Sequence, residues 1–134
     1  MVGTGWIAGW SYGDVRLKEV YNPLVTNEEC DKWLKTIRPW YEITKLAFCS
    51  RYVDGMGWCQ GDYGVPLFLI KNESYMVQIG IASVRPFYSA SCARDGHMAM
   101  YTRVLEYLGW IHRRISNCGN HPFHPVTAVG QEAY

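Results

Sequence analysis

The chain lacks an apolar run approaching the roughly 18 residues that a membrane span needs. It also lacks a surplus of either charge. Its 13 Lys and Arg stand against 12 Asp and Glu, a formal net charge of +1. That balance excludes a nucleic-acid or membrane surface driven by bulk charge. Charged residues make up only 19% and apolar residues 49% of the sequence, which excludes a disordered chain. There is no internal repeat and no linker-like stretch, so the 134 residues read as one domain able to bury a core. Residues 1–10 have neither a basic n-region nor an apolar h-region, so no signal peptide is read there, and the chain reads as one that begins mid-fold.

What is present favours strands. Aromatic residues reach 15%, which suits a β-rich core. Alternating or apolar runs bounded by turn residues predict strands near 2–10, 15–22, 46–53, 65–71, 75–84 and 97–103. Lys71-Asn72-Glu73-Ser74 is a polar break between two apolar runs and reads as a hairpin tip. Thr26-Asn27-Glu28-Glu29 has a polar cap followed by carboxylates, the signature of a helix start. Cys30, Trp33, Leu34 and Ile37 then fall on one helical face, and Pro39 ends the segment. Near the C-terminus Val104, Leu108, Ile111 and Ile115 repeat at helical spacing, with Arg113 and Arg114 suited to the negative end of the helix dipole. Short strands followed by a late helix argue a small antiparallel barrel.

The segment Trp58-Cys59-Gln60-Gly61-Asp62-Tyr63-Gly64-Val65-Pro66 resembles the nucleophile loop of the chymotrypsin/trypsin family, C-x-G-D-S-G-G-P. Further landmarks recur in the family's order. Thr4-Gly5-Trp6 is similar to its T-G-W-G turn, Ile79-Gly80-Ile81-Ala82-Ser83 to its G-I-x-S strand, and Tyr101-Thr102-Arg103-Val104 with Trp110-Ile111 to its Y-T-R-V…W-I ending. The resemblance covers roughly residues 1 to 115. It implies an all-β fold, an antiparallel six-stranded Greek-key barrel with a C-terminal helix, which is the second half of the trypsin-like two-barrel fold. The barrel is expected over 1–117 and an irregular tail over 118–134. The family's charge-relay histidine and aspartate sit on the first barrel, outside this sequence.

The resemblance also implies two disulfides, Cys30–Cys49 and Cys59–Cys92, and leaves Cys118 over from a count of five. Cys118 could pair with another chain or a missing half, or stay unpaired. A further family disulfide has Met1 and, approximately, Leu69 at its two positions, so both partners are lost together. Bridges of this kind persist in oxidising compartments, so the implied location is extracellular. Asn72-Glu73-Ser74 is an N-glycosylation acceptor on the expected hairpin tip, in keeping with secretion.

At the centre of the loop Tyr63 stands where the family has serine, and Val65 where it has a second glycine. Chymotrypsin-type chemistry needs a serine oxygen beside a histidine base. A phenol places its oxygen several ångströms further from the backbone and fills the volume reserved for the scissile bond. Displacement by ~1 Å already costs about a hundredfold in rate. The oxyanion-hole positions are the amides of Gly61 and Tyr63. Asp62 matches the carboxylate that pairs with the new ammonium end after zymogen cleavage, or it is a turn residue capping its own backbone. Pocket positions are altered as well. Gly57 stands where trypsin-like members carry an acidic residue, with bulky Trp58 beside it; Ser83 is kept. Val84 and Arg85 replace a tryptophan and a glycine, and Ala99 replaces another pocket glycine.

His97 and His112 read as solvated surface residues rather than bases. Cys118-x-x-His121-x-x-His124 offers three metal ligands at short spacing, but two prolines and the lack of a fourth ligand argue against zinc. No metal and no cofactor are expected. The expected function is that of an inactive serine-protease homologue with an extracellular protein-binding or regulatory role. Its partners would be proteins: the missing N-terminal barrel, protease-cascade components or inhibitors, with no nucleic acid and no membrane. The alternative is a serine-type endopeptidase of which this chain is the C-terminal portion.

Overall fold

The structure, a computed structural model, describes residues 4–10, 17–59, 61–72, 75–84 and 96–116. Strands β1 (Thr4–Trp10), β2 (Leu17–Val25), β3 (Ala47–Arg51), β4 (Pro66–Asn72), β5 (Tyr75–Val84) and β6 (Met98–Arg103) pair antiparallel in the order β1-β2-β3-β6-β5-β4. Because β1 also pairs with β4, at Trp6↔Phe68 and Ile7↔Leu67, the sheet curls round and closes on itself. Among the described residues, closure leaves no long unpaired edge. Each element lies within a few residues of its expected position. The largest departure is β2, which continues past Pro23. That proline pairs with Thr4 at the end of β1, and the strand then changes partner, Leu24 facing Ser50 and Val25 facing Cys49 on β3.

Alternation divides the buried residues into two cores. Leu24, Phe48, Ala99 and Tyr101 point into the barrel with Leu67, Leu69 and Ala82. Their neighbours Val25, Cys49, Met98 and Met100 point the other way and pack under helix α1 (Asn27–Ile37) with Cys30 and Leu34. Strand β6 is therefore covered on both faces, which is why Met98, Ala99, Met100 and Tyr101 form an unbroken buried run. Gly80 on β5 is required by close approach: a Cβ there would stand 2.7 Å from the Phe48 ring and 3.1 Å from Tyr101 Cβ.

Helix α1 starts where the sequence places it. Thr26 is extended and its hydroxyl accepts from the Glu29 amide at 3.2 Å, with Glu28 and Glu29 in the first turn. Cys30 and Leu34 are its buried face, and Cys30 is bridged to Cys49 with Cα atoms 6.0 Å apart. Arg103 ties the start of this helix to β3. It donates to Asn27 Oδ1 at 3.1 Å, to the Ala47 carbonyl at 3.2 Å and to the Lys45 carbonyl at 3.1 Å, with its guanidinium 5.0 Å above the Phe48 ring. Glu29 meets Arg51 across the same surface.

The C-terminal periodicity resolves into two pieces, a 3₁₀ turn at Val104–Tyr107 and helix α2 (Leu108–Ile115). No residue of α2 is buried, and Leu105, Trp110 and Ile115 are exposed. Arg114 lies 5.7 Å over the Trp110 ring. No helix among the described residues is long and apolar enough to cross a membrane. Residues 118–134, including Cys118, His121 and His124, lie outside the described residues.

Candidate functional site

Two turns carry the site. The first is Val53-Asp54-Gly55-Met56, where the Met56 amide donates to the Val53 carbonyl at 3.0 Å and both central residues have positive φ, 54° and 67°. Asp-Gly suits that conformation because neither strongly resists it. The turn reverses the chain after β3 and delivers Gly57, Trp58 and Cys59 to the rim of the barrel. The second turn runs from Cys59 to Val65. Gly61 and Gly64 hold φ of +102° and +85°, which a side chain resists. The Asp62 amide donates to the Cys59 carbonyl at 3.0 Å and the Val65 amide to the Asp62 carbonyl at 3.2 Å. Reciprocal bonds join the loop to β5: Gly64 N to Ala82 O, and Ala82 N to Val65 O, both 2.9 Å.

Asp62 is 2% exposed, and its Oδ2 accepts the Cys59 amide at 2.9 Å. The carboxylate thus clamps the loop from within. Among the described residues, the Gly61 and Tyr63 amides enter none of the loop's backbone hydrogen bonds. Tyr63 itself projects outward, 54% exposed, with its ring edge-on to the Trp58 indole at 5.3 Å.

Behind Tyr63, side chains pack closely around Gly57 and Trp58. Trp58 is 2% exposed and packs edge-on against Tyr101 at 6.4 Å between ring centroids. The Tyr52 ring lies against the α-carbon of Gly57, so that a Cβ at position 57 would fall inside it. Tyr52 is also fixed at both ends: its amide donates to the His97 carbonyl at 2.9 Å and its hydroxyl to the Trp58 carbonyl at 3.1 Å. Ala99 is fully buried in the same cluster, adding its methyl to the filled space. Ser83 and Val84 sit on the exposed side of β5, at an irregularity in its pairing with β6 between Ala82 and Val84. Such irregularities re-aim side chains beside clefts.

The structure therefore brings Gly57, Trp58, Asp62, Tyr63, Ser83 and Val84 to one end of the barrel. Arg85 and Cys92 fall outside the described residues; Cys59 is disulfide-bonded. Asn72 ends β4 and pairs with Tyr75 on β5, while Glu73 and Ser74 of the triplet fall outside the described residues. His97 and His112 are half-buried rather than solvated, and His97 lies 6.2 Å from the Trp33 ring. No cluster of metal ligands occurs among the described residues.

Sequence reasoning missed Tyr52, whose contact with Gly57 is set by the Asp-Gly turn rather than by any periodicity. It also missed a polar group inside the barrel. Asn22, Ser50 and Tyr101 are fully buried, with the Ser50 and Tyr101 hydroxyls 3.0 Å apart. Burial pushes the Tyr101 phenol well above its ordinary range; the Ser50, Asn22 and Trp58 side chains facing it act in the opposite sense. Asn22 carried a signal. It is a polar residue on the inward face of β2, between Val20 and Leu24.

The Trypsin family model matches residues 1–111. Among curated relatives, coagulation factor XI of Bos taurus is 33% identical over 113 residues, covering 79% of this chain and 17% of factor XI. CLIP domain-containing serine protease B10 of Anopheles gambiae is 33% identical over 114 residues, covering 85% of this chain and 28% of the relative. The chain thus spans less than a third of either relative's length.

Proposed function

This chain belongs to the trypsin family, and we propose that it is a catalytically inactive member whose barrel acts by binding or regulating other proteins outside the cell. One observation carries the reading. Tyr63, read as standing at the nucleophile position, is an exposed phenol set edge-on against Trp58, and Trp58 is buried beside Gly57 among the residues read as the pocket. Acyl transfer needs an oxygen within hydrogen-bond reach of a base and within attack distance of a carbonyl. A tyrosine oxygen at the tip of its ring is displaced from both. A buried indole leaves little room for the side chain that would anchor a substrate.

The same reading assigns the remaining parts. Gly61 and Tyr63 keep an oxyanion-hole-like turn, Asp62 the activation carboxylate, and Gly57, Trp58, Ser83, Val84, Arg85 and Ala99 the remodelled pocket. The six strands are read as the Greek-key second barrel of a two-barrel fold over residues 1–117, and Cys59 as bridged to Cys92. The Cys30–Cys49 disulfide and the Asn72 triplet support an extracellular location. The relatives' printed names support a setting among proteolytic proteins, so the partners proposed are the N-terminal barrel, protease-cascade components or inhibitors. The second reading, a serine-type endopeptidase, rests on the family membership.

A fluorophosphonate probe separates the two. Applied to the native product containing this chain, it is expected to leave residue 63 unlabelled. A Tyr63→Ser variant that becomes labelled would place a working base beside the loop. Labelling of native Tyr63, or peptide hydrolysis abolished by Tyr63→Phe, would overturn the inactive reading.

A further inference from the structure

The polar group inside the barrel is distinct from the loop chemistry and independent of whether the cleft is active. Asn22 has no exposed surface, and neither its amide oxygen nor its amide nitrogen meets a hydrogen-bond partner among the described residues; the same holds for the indole nitrogen of Trp58, 2% exposed. These atoms meet across the barrel interior, where the Asn22 and Trp58 side chains converge on the Tyr101 phenol. Leu24 on β2 pairs with Ser50 on β3, and Ser50 with Ala99 on β6. Asn22 and Tyr101 lie one alternation from that row on opposite sides of it, both on the inward face. The Asn22 and Trp58 side chains both face the Tyr101 phenol, yet neither reaches it with hydrogen-bond geometry.

A buried polar atom left without a partner is costly, and three such atoms would weigh heavily against the small net stability of a domain. Native proteins resolve such clusters with internal water, which needs two to four polar partners. This cluster supplies them. Asn22 offers an acceptor and a two-proton donor, Trp58 a donor, and the Ser50 and Tyr101 hydroxyls can each give or take a proton. None of these side chains is charged, and the nearby buried carboxylate of Asp62 accepts the Cys59 amide. The site therefore suits a neutral guest rather than an ion.

We propose that Asn22, Ser50, Trp58 and Tyr101 form a closed site for ordered water inside the barrel. The water accepts from the Trp58 indole, exchanges bonds with the Asn22 amide and completes the Ser50–Tyr101 pair. It thereby ties the indole that fills the pocket to strands β2, β3 and β6. The site is built from this chain's own residues, with Asn22 as the one polar side chain among the inward positions of β2 from Val20 to Leu24.

The test is water-selective cross-relaxation NMR on the uniformly ¹⁵N-labelled chain. The Trp58 indole N–H and the Asn22 side-chain amide are expected to show water cross-peaks with the sign of a long-lived bound molecule. In Asn22→Leu the Trp58 cross-peak is expected to disappear while the backbone spectrum stays native. Absence of both cross-peaks in the native chain, with the Asn22 amide directly bonded to the Tyr101 hydroxyl instead, would overturn the proposal. So would persistence of the Trp58 cross-peak in a folded Asn22→Leu variant. If that variant does not fold, the native spectrum decides alone.

Discussion

The two buried sides of this barrel preserve different things. Beneath α1, local rules and packing agree: a capped helix start, an amphipathic face, a disulfide from Cys30 to Cys49, and Arg103 bonded to Asn27 and the β3 edge. Around Trp58 the backbone forms a tight loop, with Gly61 and Gly64 at positive φ and Asp62 clamping the Cys59 amide. Its side chains serve another end. Tyr52, Trp58 and Ala99 occupy interior space, and Tyr63 covers the outside. Backbone geometry there is held by glycines and internal hydrogen bonds, so it does not depend on which side chain stands at position 63. The lesson is that family-like loops report scaffold, and only side-chain placement reports chemistry.

The largest effect should come from the most buried part of the Trp58 side. Trp58→Ala is expected to lower stability by about 3–5 kcal/mol, because it removes a large ring from a packed interior. Trp110→Ala, at a residue 55% exposed on α2, should change it by no more than about 0.5 kcal/mol. Urea unfolding of both variants measures the contrast. If Trp58→Ala cost as little as Trp110→Ala, the pocket would be open and the distinction between the two sides would fail.

The α1 side should break differently. Replacing Cys30 and Cys49 together by alanine is expected to lower stability by about 3 kcal/mol, since the bridge closes a loop with a sequence separation of 19. The Trp58 indole N–H resonance should hold its position in that variant. Cys49 points under the helix, whereas its neighbours Phe48 and Ser50 point into the barrel with Trp58. A shift of the indole signal comparable to that in Trp58-contacting variants would show that the two cores act as one.

Much of this architecture was legible in the residues. Thr26, Glu28 and Glu29 marked the start of α1, and Pro39 its limit, because capping chemistry is local. The strands appeared from alternation, and the loop from its glycines and Asp62. The β2 extension was hidden because Pro23 looks like a stop, yet strand exchange at that point lets pairing resume with β3. The packing around Gly57 was half visible. Trp58 could be seen beside Gly57, but Tyr52 reaches that glycine only after the Asp54-Gly55 turn has folded the chain back. Ser50 and Tyr101 meet across two strands 51 residues apart in sequence, a separation that no local pattern encodes.

The smallest and most local prediction concerns Tyr101. Its phenol is raised well above the ordinary value, chiefly by burial. In the unfolded chain a tyrosine ionises near about pH 10. Below that pH both states hold the proton, and the contribution of Tyr101 to stability is fully present. Above it the unfolded state gives up the proton while the folded state retains it, so stability falls by about 1.4 kcal/mol per pH unit until the folded phenol ionises. Tyr101→Phe removes this term. It also leaves the Ser50 hydroxyl without its 3.0 Å partner, so the variant should be less stable at neutral pH. The discriminating quantity is thus the slope rather than the absolute stability. Urea midpoints measured at successive pH values above 10 should decline more steeply for the native chain than for Tyr101→Phe. Parallel slopes would mean that the phenol reaches solvent, and with it the water-filled cluster and the closed pocket on that side of the barrel would both be lost.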